Sequence, residues 1–360
     1  MLPRLIACLL LMSLPGLASA KPYRLETVAT GLDMPWCVAF LPDGSFLVTE
    51  LGGTLRRIES DGTTSPPIAG MPEVYRKSQG GLFDVMLDRN FAESRLVYLT
   101  YAEGPPTSNA TAVARAKLRG NQLSDLKVIY RVTPRKDTPV HYGARMVFAA
   151  DGTILLTTGD GFDYREAAQD LNNQMGKVIR INRDGTPAAG HPFPESPYVW
   201  SYGHRNPQGL AASGSGKVFL HEHGPKGGDE VNVIERGANY GWPAVTFGLD
   251  YNGAYVSPFT ELEGMTQPIH VWDPSIAPSG LAVYEGELFA QWHGDLLVGA
   301  LVDREVRRLD LEGDRVVGEE SLFGELGERV RDVRTGPDGA IYLLTEGPPG
   351  KLIRVVPAER

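Results

Sequence analysis

The 360-residue sequence is poor in the features that mark disulfide-rich, membrane-spanning or nucleic-acid-binding proteins. It contains two cysteines, so no framework of several disulfides can hold the fold. Its formal net charge of −9 argues against nucleic acid and anionic lipid as partners. Beyond the first 20 residues, no apolar run is long enough to predict a membrane span. These absences indicate a chain that depends on a large apolar core, to which 42% hydrophobic residues contribute, or on bound ions.

The first 20 residues, MLPRLIACLLLMSLPGLASA, have the pattern of a secretory signal peptide. Arg4 supplies the positive charge, Leu5–Leu14 form a short apolar segment, and Ala18–Ala20 fit an A-x-A cleavage site. Residues 21–360 would then form a single mature domain that is periplasmic or secreted. The segment Leu5–Cys8 is similar to a lipidation box, but it precedes most of the apolar segment, which disfavours lipidation.

Glycine and proline are plentiful, at 42 and 27 residues, and helix signals are weak. An Asp-Gly turn followed by an apolar strand, a glycine turn and a second strand recurs at 41–58, 148–161 and 335–355. About 340 mature residues divided into units of roughly 50–60 give about six units, which predicts an all-β, six-bladed β-propeller. A two-domain β-sandwich is the alternative, disfavoured because no linker rich in Ser and Pro divides the chain. The segment 167–175, AAQDLNNQM, is a short helix candidate.

Five stretches are dense in polar residues and lack the alternation of strands. They are SQGGLFDV (78–85), HYGARMVF (141–148), WSYGHRNPQGL (200–210), HEHGPKGGDE (221–230) and ERVRDVRTGPDG (328–339). Each adjoins an apolar run, so each is expected at the end of a blade. Propellers carry function in the loops on one face around the central channel, and these stretches are therefore the candidate site.

The motifs HYGARMVF, YGHRNPQGL, EHGPKGGDEVN and NYGWP resemble those of the soluble quinoprotein aldose sugar dehydrogenases of the glucose/sorbosone dehydrogenase type. The resemblance runs from about residue 23 to 357. It implies a six-bladed propeller that holds pyrroloquinoline quinone (PQQ) and Ca²⁺. It also implies the positions that contact the cofactor: Gln79, Arg205, Asn206, Tyr251, Ala300, Leu301, Val302, Arg329, Val330 and Arg331.

The chemistry of PQQ suits the arginines in this set. PQQ is a planar tricarboxylate, and guanidinium groups pair bidentately with carboxylates. The spacing of Arg329 and Arg331 places both on one face of a strand. The alternative is that Arg205 and Arg331 are partners in structural ion pairs.

His141 is the candidate general base. Oxidation of a sugar at C1 requires loss of the hydroxyl proton, and a neutral imidazole has a pKa suited to accepting it. Such a histidine needs a carboxylate on its other nitrogen, and Asp160 is at the family position for that partner. Arg205 is expected close to the same reacting group. The alternative for a histidine in a loop is an ordinary surface position.

The resemblance assigns Ca²⁺ ligands to the glycine-rich stretch. The carbonyls of Gly224 and Pro225 would bind a Ca²⁺ beside the quinone, since Ca²⁺ prefers oxygen ligands. Glu230 and the Tyr240 carbonyl resemble ligands of a second, structural Ca²⁺. Zinc on His221 and His223 is disfavoured, because no cysteine or third histidine lies near. The alternative for Asp229 and Glu230 is a solvated acidic turn, while Trp242 and Pro243 are expected to close a blade core.

One position departs from the family pattern. A lysine usually follows the Gly-Ala-Leu at 299–301 and pairs with the cofactor, whereas this sequence has Val302. Arg304 lies two residues further on, and the hypothesis is that it reaches the same carboxylate.

The leading interpretation is a dehydrogenase that oxidises aldose sugars to lactones and passes electrons to an external acceptor. A Ca²⁺-dependent lactonase or esterase propeller is the rival enzyme, but it would need carboxylates rather than Arg and Gln around its channel ion. A carbohydrate- or protein-binding propeller would explain the blades without explaining the convergence of three arginines and a histidine.

Overall fold

A computed structural model describes residues 22–358, and the signal peptide expected at residues 1–20 lies outside them. Within these residues, twenty-three strands form six antiparallel sheets. Strand β1 belongs to the last sheet, and β2 to β12 form the first three sheets. These strands are Tyr23–Leu32 (β1), Pro35–Phe40 (β2), Phe46–Glu50 (β3), Thr54–Ile58 (β4), Leu82–Leu87 (β5), Leu96–Glu103 (β6), Ala110–Arg119 (β7), Gln122–Arg131 (β8), Gly143–Phe148 (β9), Ile154–Thr158 (β10), Lys177–Ile181 (β11) and Val199–Tyr202 (β12).

The other strands are Pro207–Ala212 (β13), Val218–Glu222 (β14), Asp229–Val233 (β15), His270–Trp272 (β16), Pro278–Val283 (β17), Leu296–Ala300 (β18), Val306–Glu312 (β19), Arg315–Leu322 (β20), Val330–Thr335 (β21), Ile341–Thr345 (β22) and Gly350–Pro357 (β23). The helices of the described residues are short: α1 at Phe91–Ser94, and 3₁₀ turns at Arg165–Ala168, Ala290–Trp292 and Gly324–Leu326. The helix expected at 167–175 is wrong in extent, since a 3₁₀ turn covers only its first residues. No helix within 22–358 has the length and apolar character needed to cross a bilayer.

The six sheets form a ring, so the predicted six-bladed β-propeller is confirmed. Each blade follows its predecessor in sequence, and the innermost strands β2, β5, β9, β13, β17 and β21 contact one another in that order around the axis. Strand β1 pairs with β23 and so completes the last blade with the first strand of the chain. Such closure leaves no open sheet edge at the junction.

Apolar residues fill the spaces between blades rather than the axis. Six buried clusters each join one blade to the next; one contains both Leu47 and Leu99, and another contains both Val298 and Phe219. The recurrent Asp-Gly pairs form the turns between the first and second strands of three blades. Gly44, Gly152 and Gly339 all have positive φ there, which glycine adopts without strain.

The loops at the other end of the blades carry part of each of the five polar stretches, and four of the stretches continue into an innermost strand. They precede the innermost strands or follow the second strand of a blade. Below them the axis is filled by charge: the Arg145 guanidinium lies 4.0 Å from the Trp36 ring centroid and 2.9 Å from Asp332 Oδ1. The propeller therefore presents one polar, multi-blade face above a filled channel.

Candidate active site

A cavity of about 400 Å³ opens on the axis and takes residues from every blade. Its lining includes three neighbouring aromatic rings: Trp36 and Phe83 have centroids 5.5 Å apart, and Phe83 and Tyr142 have centroids 5.4 Å apart. Its polar lining is Arg76, Ser78, Gln79, Asn206, Gln208, His223, Arg329, Arg331 and Glu346. An aromatic floor with an excess of arginine over carboxylate suits a flat anionic ligand.

His141 and Asp160 form a buried pair beside this cavity. The imidazole Nδ1 is 2.7 Å from Asp160 Oδ1, and the two side chains are only 5% and 1% exposed. The other donors to Asp160 are the Phe162 backbone N–H at 2.7 Å and the Trp242 indole N–H at 2.8 Å. Because Asp160 accepts every one of these bonds, it holds the proton of His141 on Nδ1 and leaves Nε2 as the basic nitrogen.

The pKa values of the pair support a neutral imidazole beside a charged carboxylate. Burial lowers the pKa of His141 below its ordinary value of 6.5, and the attraction of Asp160 only partly offsets it. Burial raises the pKa of Asp160, but the hydrogen bond and charge of His141, together with Arg205, outweigh burial, so the pKa of Asp160 lies below its ordinary value. His141 is thus a base near neutral pH.

Arg205 is fixed on the opposite side of the Asp160 loop. Its carbonyl accepts a bond from the Asp160 N–H at 2.8 Å, and its own N–H donates to Glu222 Oε2. Its guanidinium donates to the Gly224 carbonyl at 2.6 Å and the Tyr251 hydroxyl at 3.3 Å. No carboxylate is bonded to this guanidinium among the described contacts, so its charge is available to an anionic ligand.

Arg329 and Arg331 lie together on the cavity wall, as their spacing predicts, but they share one carboxylate. Arg329 Nε is 2.5 Å from Glu346 Oε2, and Arg331 bonds the other oxygen, Glu346 Oε1. Burial lowers the pKa of Arg331, and the pKa of Glu346 is also lowered because the attraction of the two arginines outweighs its burial. Two cations on one anion leave an excess positive charge facing the cavity.

The glycine-rich loop between β14 and β15 is ordered by a buried carboxylate. Asp229 Oδ1 accepts the Gly224 N–H at 3.0 Å, while Asp229 Oδ2 accepts the Ser275 hydroxyl at 2.5 Å. Asp229 is fully buried, so the alternative of a solvated acidic turn is wrong. His223 Nε2 lies 2.7 Å from the Pro278 carbonyl, and His221 Nε2 lies 3.3 Å from the Gly280 carbonyl.

The two loop carbonyls expected to bind Ca²⁺ differ in their surroundings. The Gly224 carbonyl already accepts Arg205, and a carbonyl oxygen has a second lone pair for another partner. Pro225 lines two further cavities, of about 540 and 290 Å³, that adjoin Tyr251. Oxygen donors at the end of a rigid loop are compatible with a hard cation.

A second group of buried oxygens surrounds Glu230. This residue is directly opposite Glu222 in the sheet, and burial, with Glu222 as a second cause, raises its pKa well above the ordinary value. Asn232 donates to Glu230 Oε2 at 3.4 Å, while Asn232 Oδ1 is buried with no hydrogen-bond partner. Tyr240 stacks on His204, which bonds Glu222, at a ring distance of 4.7 Å. An orphaned oxygen beside two carboxylates fits a bound cation.

The remaining predicted cofactor positions do not all line the main cavity, since Tyr251 lines the two further cavities that contain Pro225. Gln79 accepts the His141 N–H at 2.8 Å, and Asn206 and Leu301 line the main cavity. Ala300 and Val330 are fully buried, so only their backbone can face a ligand. Val302 is 57% exposed and Tyr251 59% exposed.

A model of the Glucose / Sorbosone dehydrogenase family matches residues 32–354. The chain belongs to this family. It is 39% identical over 352 residues to the aldose sugar dehydrogenase YliI of Escherichia coli, with 94% of each chain covered. The solved apo-form structure of the soluble aldose sugar dehydrogenase from Escherichia coli superposes with a TM-score of 0.90 at 38% identity, covering 93% of this chain and 100% of that one.

A solved structure at lower sequence identity is of a cofactor-bound form. The PQQ-bound aldose sugar dehydrogenase of Streptomyces coelicolor superposes with a TM-score of 0.77 at 28% identity, covering 92% of this chain and 98% of that one. This glucose/sorbosone dehydrogenase family member is accordingly an oxidoreductase.

Three site residues of this family member were not predicted from the sequence. Arg76 lines the main cavity and lies in a stretch without strand pattern. Glu346 follows β22, whose sequence is that of an ordinary buried strand. Trp242 was expected to close a blade core, yet its indole N–H bonds Asp160 and its ring lies 5.2 Å from the Arg205 guanidinium. A buried Trp needs a partner for its N–H, and that need was the available signal.

Proposed function

We propose that the chain is an exported, PQQ- and Ca²⁺-dependent dehydrogenase that oxidises the C1 hydroxyl of aldose sugars to lactones and passes electrons to an external acceptor. The observation that carries the proposal is a neutral His141 imidazole bonded to Asp160, beside a cavity with an aromatic floor and more arginines than carboxylates. Family membership and the PQQ-bound relative support the choice of cofactor.

The residues around the cavity fit PQQ. Three aromatic rings form a floor for a flat ring system, and a cavity of about 400 Å³ is within the range of small-molecule sites. Arg329 and Arg331 would pair with its carboxylates, Arg205 would lie near the quinone oxygens, and Gln79 and Asn206 would hydrogen-bond it. Backbone or side-chain contacts at Tyr251, Ala300, Leu301, Val302 and Val330 complete the proposed cofactor set. When bound, PQQ supplies a two-electron acceptor for the C1 hydride.

The residues also fit Ca²⁺ at two places. The carbonyls of Gly224 and Pro225 would hold one ion, which would supply Lewis-acid polarisation of a neighbouring oxygen. Glu230 and the Tyr240 carbonyl would hold a structural ion, which would stabilise the buried Glu230 carboxylate in its charged form. The orphaned Asn232 oxygen favours this second assignment.

The chain's own part in the reaction is to hold and move one proton. His141 Nε2 accepts the C1 hydroxyl proton as the hydride leaves C1, and Asp160 stabilises the imidazolium that results. Trp242 and the Phe162 N–H keep Asp160 in place, and Arg205 stabilises negative charge on the opposite side of the site. Burial of the pair excludes water from the proton transfer.

The proposal predicts a pH profile. Because the pKa of His141 is lowered below 6.5, the base stays neutral at pH 7, and kcat/KM should be level there and fall only as the pH drops below this ordinary value. The active form is the enzyme with a neutral His141 imidazole. It is present above the pKa of His141 in the folded chain and is lost by protonation below that pKa. Initial rates measured in buffers of constant ionic strength give the acidic limb of this pH profile, which is the range where kcat/KM falls as the pH is lowered. A fall in kcat/KM that begins above pH 7 would contradict a buried neutral base.

The test is dye reduction by the purified chain with glucose and other aldoses, with and without PQQ and Ca²⁺. Activity that requires both additions supports the proposal. Hydrolysis of a lactone without PQQ would favour the rival lactonase, and absence of both activities would favour a binding propeller. Treatment with a calcium chelator before PQQ is added should remove activity, and Ca²⁺ should restore it.

A further inference from the structure

Lys136 is a buried lysine whose ammonium is enclosed by the loop that ends at His141. The residue is 6% exposed. Its Nζ donates to the Thr138 carbonyl at 2.6 Å and the Val140 carbonyl at 2.7 Å, and it lies 3.6 Å from the centroid of the Tyr142 ring. The chain from 136 to 142 thus turns around this one charged group.

These hydrogen bonds stabilise the loop, in which His141 has an unfavourable backbone conformation. Its φ is 53°, in the left-handed region where a residue with a Cβ is strained. The Val140 carbonyl held by Lys136 belongs to the peptide that leads into this residue. On the other side the His141 N–H donates to Gln79.

The same turn is connected to the loop of Asp160. The Thr138 hydroxyl, 3.5 Å from Lys136 Nζ, donates to the Gly161 carbonyl at 2.6 Å. The Gly161–Phe162 peptide, whose N–H donates to Asp160 Oδ1, is therefore bonded to Thr138 in the turn that leads into His141. A displacement of the turn would alter the 2.7 Å contact between the imidazole and the carboxylate.

We propose that Lys136 is a positioning residue for His141: its buried ammonium holds the 138–141 turn that presents the imidazole to Asp160 and to the cavity. The role assigned here rests on the proposed function of His141 as the base. Lys136 itself contacts neither the substrate nor the cofactor.

The charges around Lys136 agree with this role. Burial lowers the pKa of Lys136 to about 7, while the charges of Asp160 and Asp137 oppose that fall. Asp137 also accepts the Tyr164 hydroxyl at 2.6 Å. Burial is the main cause that lowers the pKa of His141, with Arg205 and then Lys136 as further charges that lower it and Asp160 raising it. Below pH 7 the ammonium is therefore charged, and it disfavours protonation of the base.

Lys177 provides a matched control. It too is a buried lysine, and its Nζ donates to three carbonyls, those of Ala167 at 2.8 Å, Ala168 at 3.1 Å and Met175 at 2.6 Å. Burial lowers its pKa to about 7 as well. It differs in that its carbonyls belong to the 3₁₀ turn at Arg165–Ala168 and its neighbours, and it is not among the charges that act on His141.

The first experiment measures the His141 pKa in the purified chain without PQQ. The His141 resonance in ¹⁵N NMR is assigned by its loss in His141→Gln and is titrated in wild type, Lys136→Met and Lys177→Met. We expect the pKa of His141 to rise by on the order of half a pH unit in Lys136→Met and to stay within error in Lys177→Met. Equal pKa values in all three chains, or equal rises in both variants, would overturn the proposal.

The second experiment measures kinetics of the PQQ- and Ca²⁺-loaded enzymes. Lys136→Met should lower kcat about tenfold with little change in KM, and it should move the acidic limb of the kcat/KM profile to higher pH. Lys177→Met should lower Tm without moving that limb. If Lys136→Met does not fold, Lys136→Gln is measured instead, with the same expected directions and a smaller loss of kcat because its amide can still donate to a loop carbonyl. An unchanged limb and kcat in Lys136→Gln would likewise count against the proposal.

The two experiments separate the two claims. A shifted His141 pKa in a chain that oxidises no aldose would refute the proposed function and leave the positioning contact in place. Active enzyme with an unshifted pKa and unchanged kcat in the Lys136 variant would refute the positioning role alone.

Discussion

The two sides of the cavity are held in different ways. On one side, His141, Asp160 and Arg205 are all buried, and each is fixed through its backbone as well as its side chain. On the other side, Arg329 is 44% exposed and Arg331 12% exposed, and both depend on the single carboxylate of Glu346. The first side is fixed before any ligand binds, whereas the second can exchange one anion for another.

This difference matches the two tasks proposed for the site. Proton transfer depends on positions within a few tenths of an ångström, so the base and its partner need a rigid surrounding. Capture of an anionic cofactor depends mainly on charge, which acts over longer distances and tolerates side-chain movement. Substitutions on the first side should therefore affect turnover, and those on the second side should affect cofactor affinity.

The largest effect is expected for His141→Gln. Glutamine is polar and of similar size but cannot accept the hydroxyl proton as a base, so kcat should fall by about 10²–10⁴-fold. The absorbance of bound PQQ should remain, because the arginines are unchanged. Stopped-flow and steady-state dye reduction measure kcat, and a titration with PQQ measures the absorbance of the bound cofactor. His293→Gln, an exposed position in the loop between β17 and β18 at the other end of the blades, is the matched control.

Survival of turnover in His141→Gln would show that the base lies elsewhere. Loss of PQQ binding together with turnover would show instead that the two sides are not separable, because the substitution would then have disturbed the arginine side as well.

The second effect is expected for Arg331→Ala, which should weaken PQQ binding about 10–100-fold, since a charge-assisted hydrogen bond contributes roughly 1.5–3 kcal/mol. Fluorescence titration of PQQ measures the affinity, and kcat at saturating PQQ should change little. Glu346→Gln is the matched partner: it frees the same arginines, so PQQ should bind at least as tightly as to wild type.

That pair of variants decides between the two interpretations of these arginines. If they are only structural ion-pair partners, both substitutions lower the thermal midpoint and neither changes the PQQ affinity. A weaker affinity in Arg331→Ala with unchanged or stronger affinity in Glu346→Gln requires that the guanidinium meets the ligand.

A smaller effect is expected for Trp242→Phe. Phenylalanine keeps the ring but removes the indole N–H that donates to Asp160 Oδ2 at 2.8 Å. The carboxylate keeps its bonds from His141 and Phe162, so kcat should fall only about three- to tenfold, and PQQ affinity should stay the same. Steady-state kinetics at saturating PQQ check this. A kcat equal to that of wild type would mean that Trp242 only fills space, as the sequence suggested.

The fold could be predicted because it repeats. Asp43-Gly44, Asp151-Gly152 and Asp338-Gly339 each require a positive φ between two apolar runs, and local physical chemistry alone places such turns. The position of β1 beside β23 could not be read in the same way, because pairing across more than 300 residues leaves no local pattern.

The site was predictable where one residue requires another. A histidine base needs a carboxylate, and Asp160 lies at that place. Glu346 was missed because its partners, Arg329 and Arg331, come from another segment of the chain. Lys136 was missed because a lysine in a polar loop resembles a solvated surface residue. Only the folded chain shows that one closes on two arginines and the other on two carbonyls.

The smallest effect is expected for Arg304→Ala, which tests what replaces the lysine absent at Val302. Arg304 donates to the Gly327 carbonyl at 3.3 Å, and the lining of the main cavity includes Arg76 but not Arg304. PQQ affinity should therefore change less than twofold in Arg304→Ala, whereas Arg76→Ala, measured beside it, should weaken binding severalfold. Titration of PQQ at low and moderate salt compares them. A weaker affinity in Arg304→Ala alone would mean that the 301–305 turn moves when the cofactor binds. The side of the cavity that contains Arg329 and Arg331 would then extend to the blade of β17 to β20.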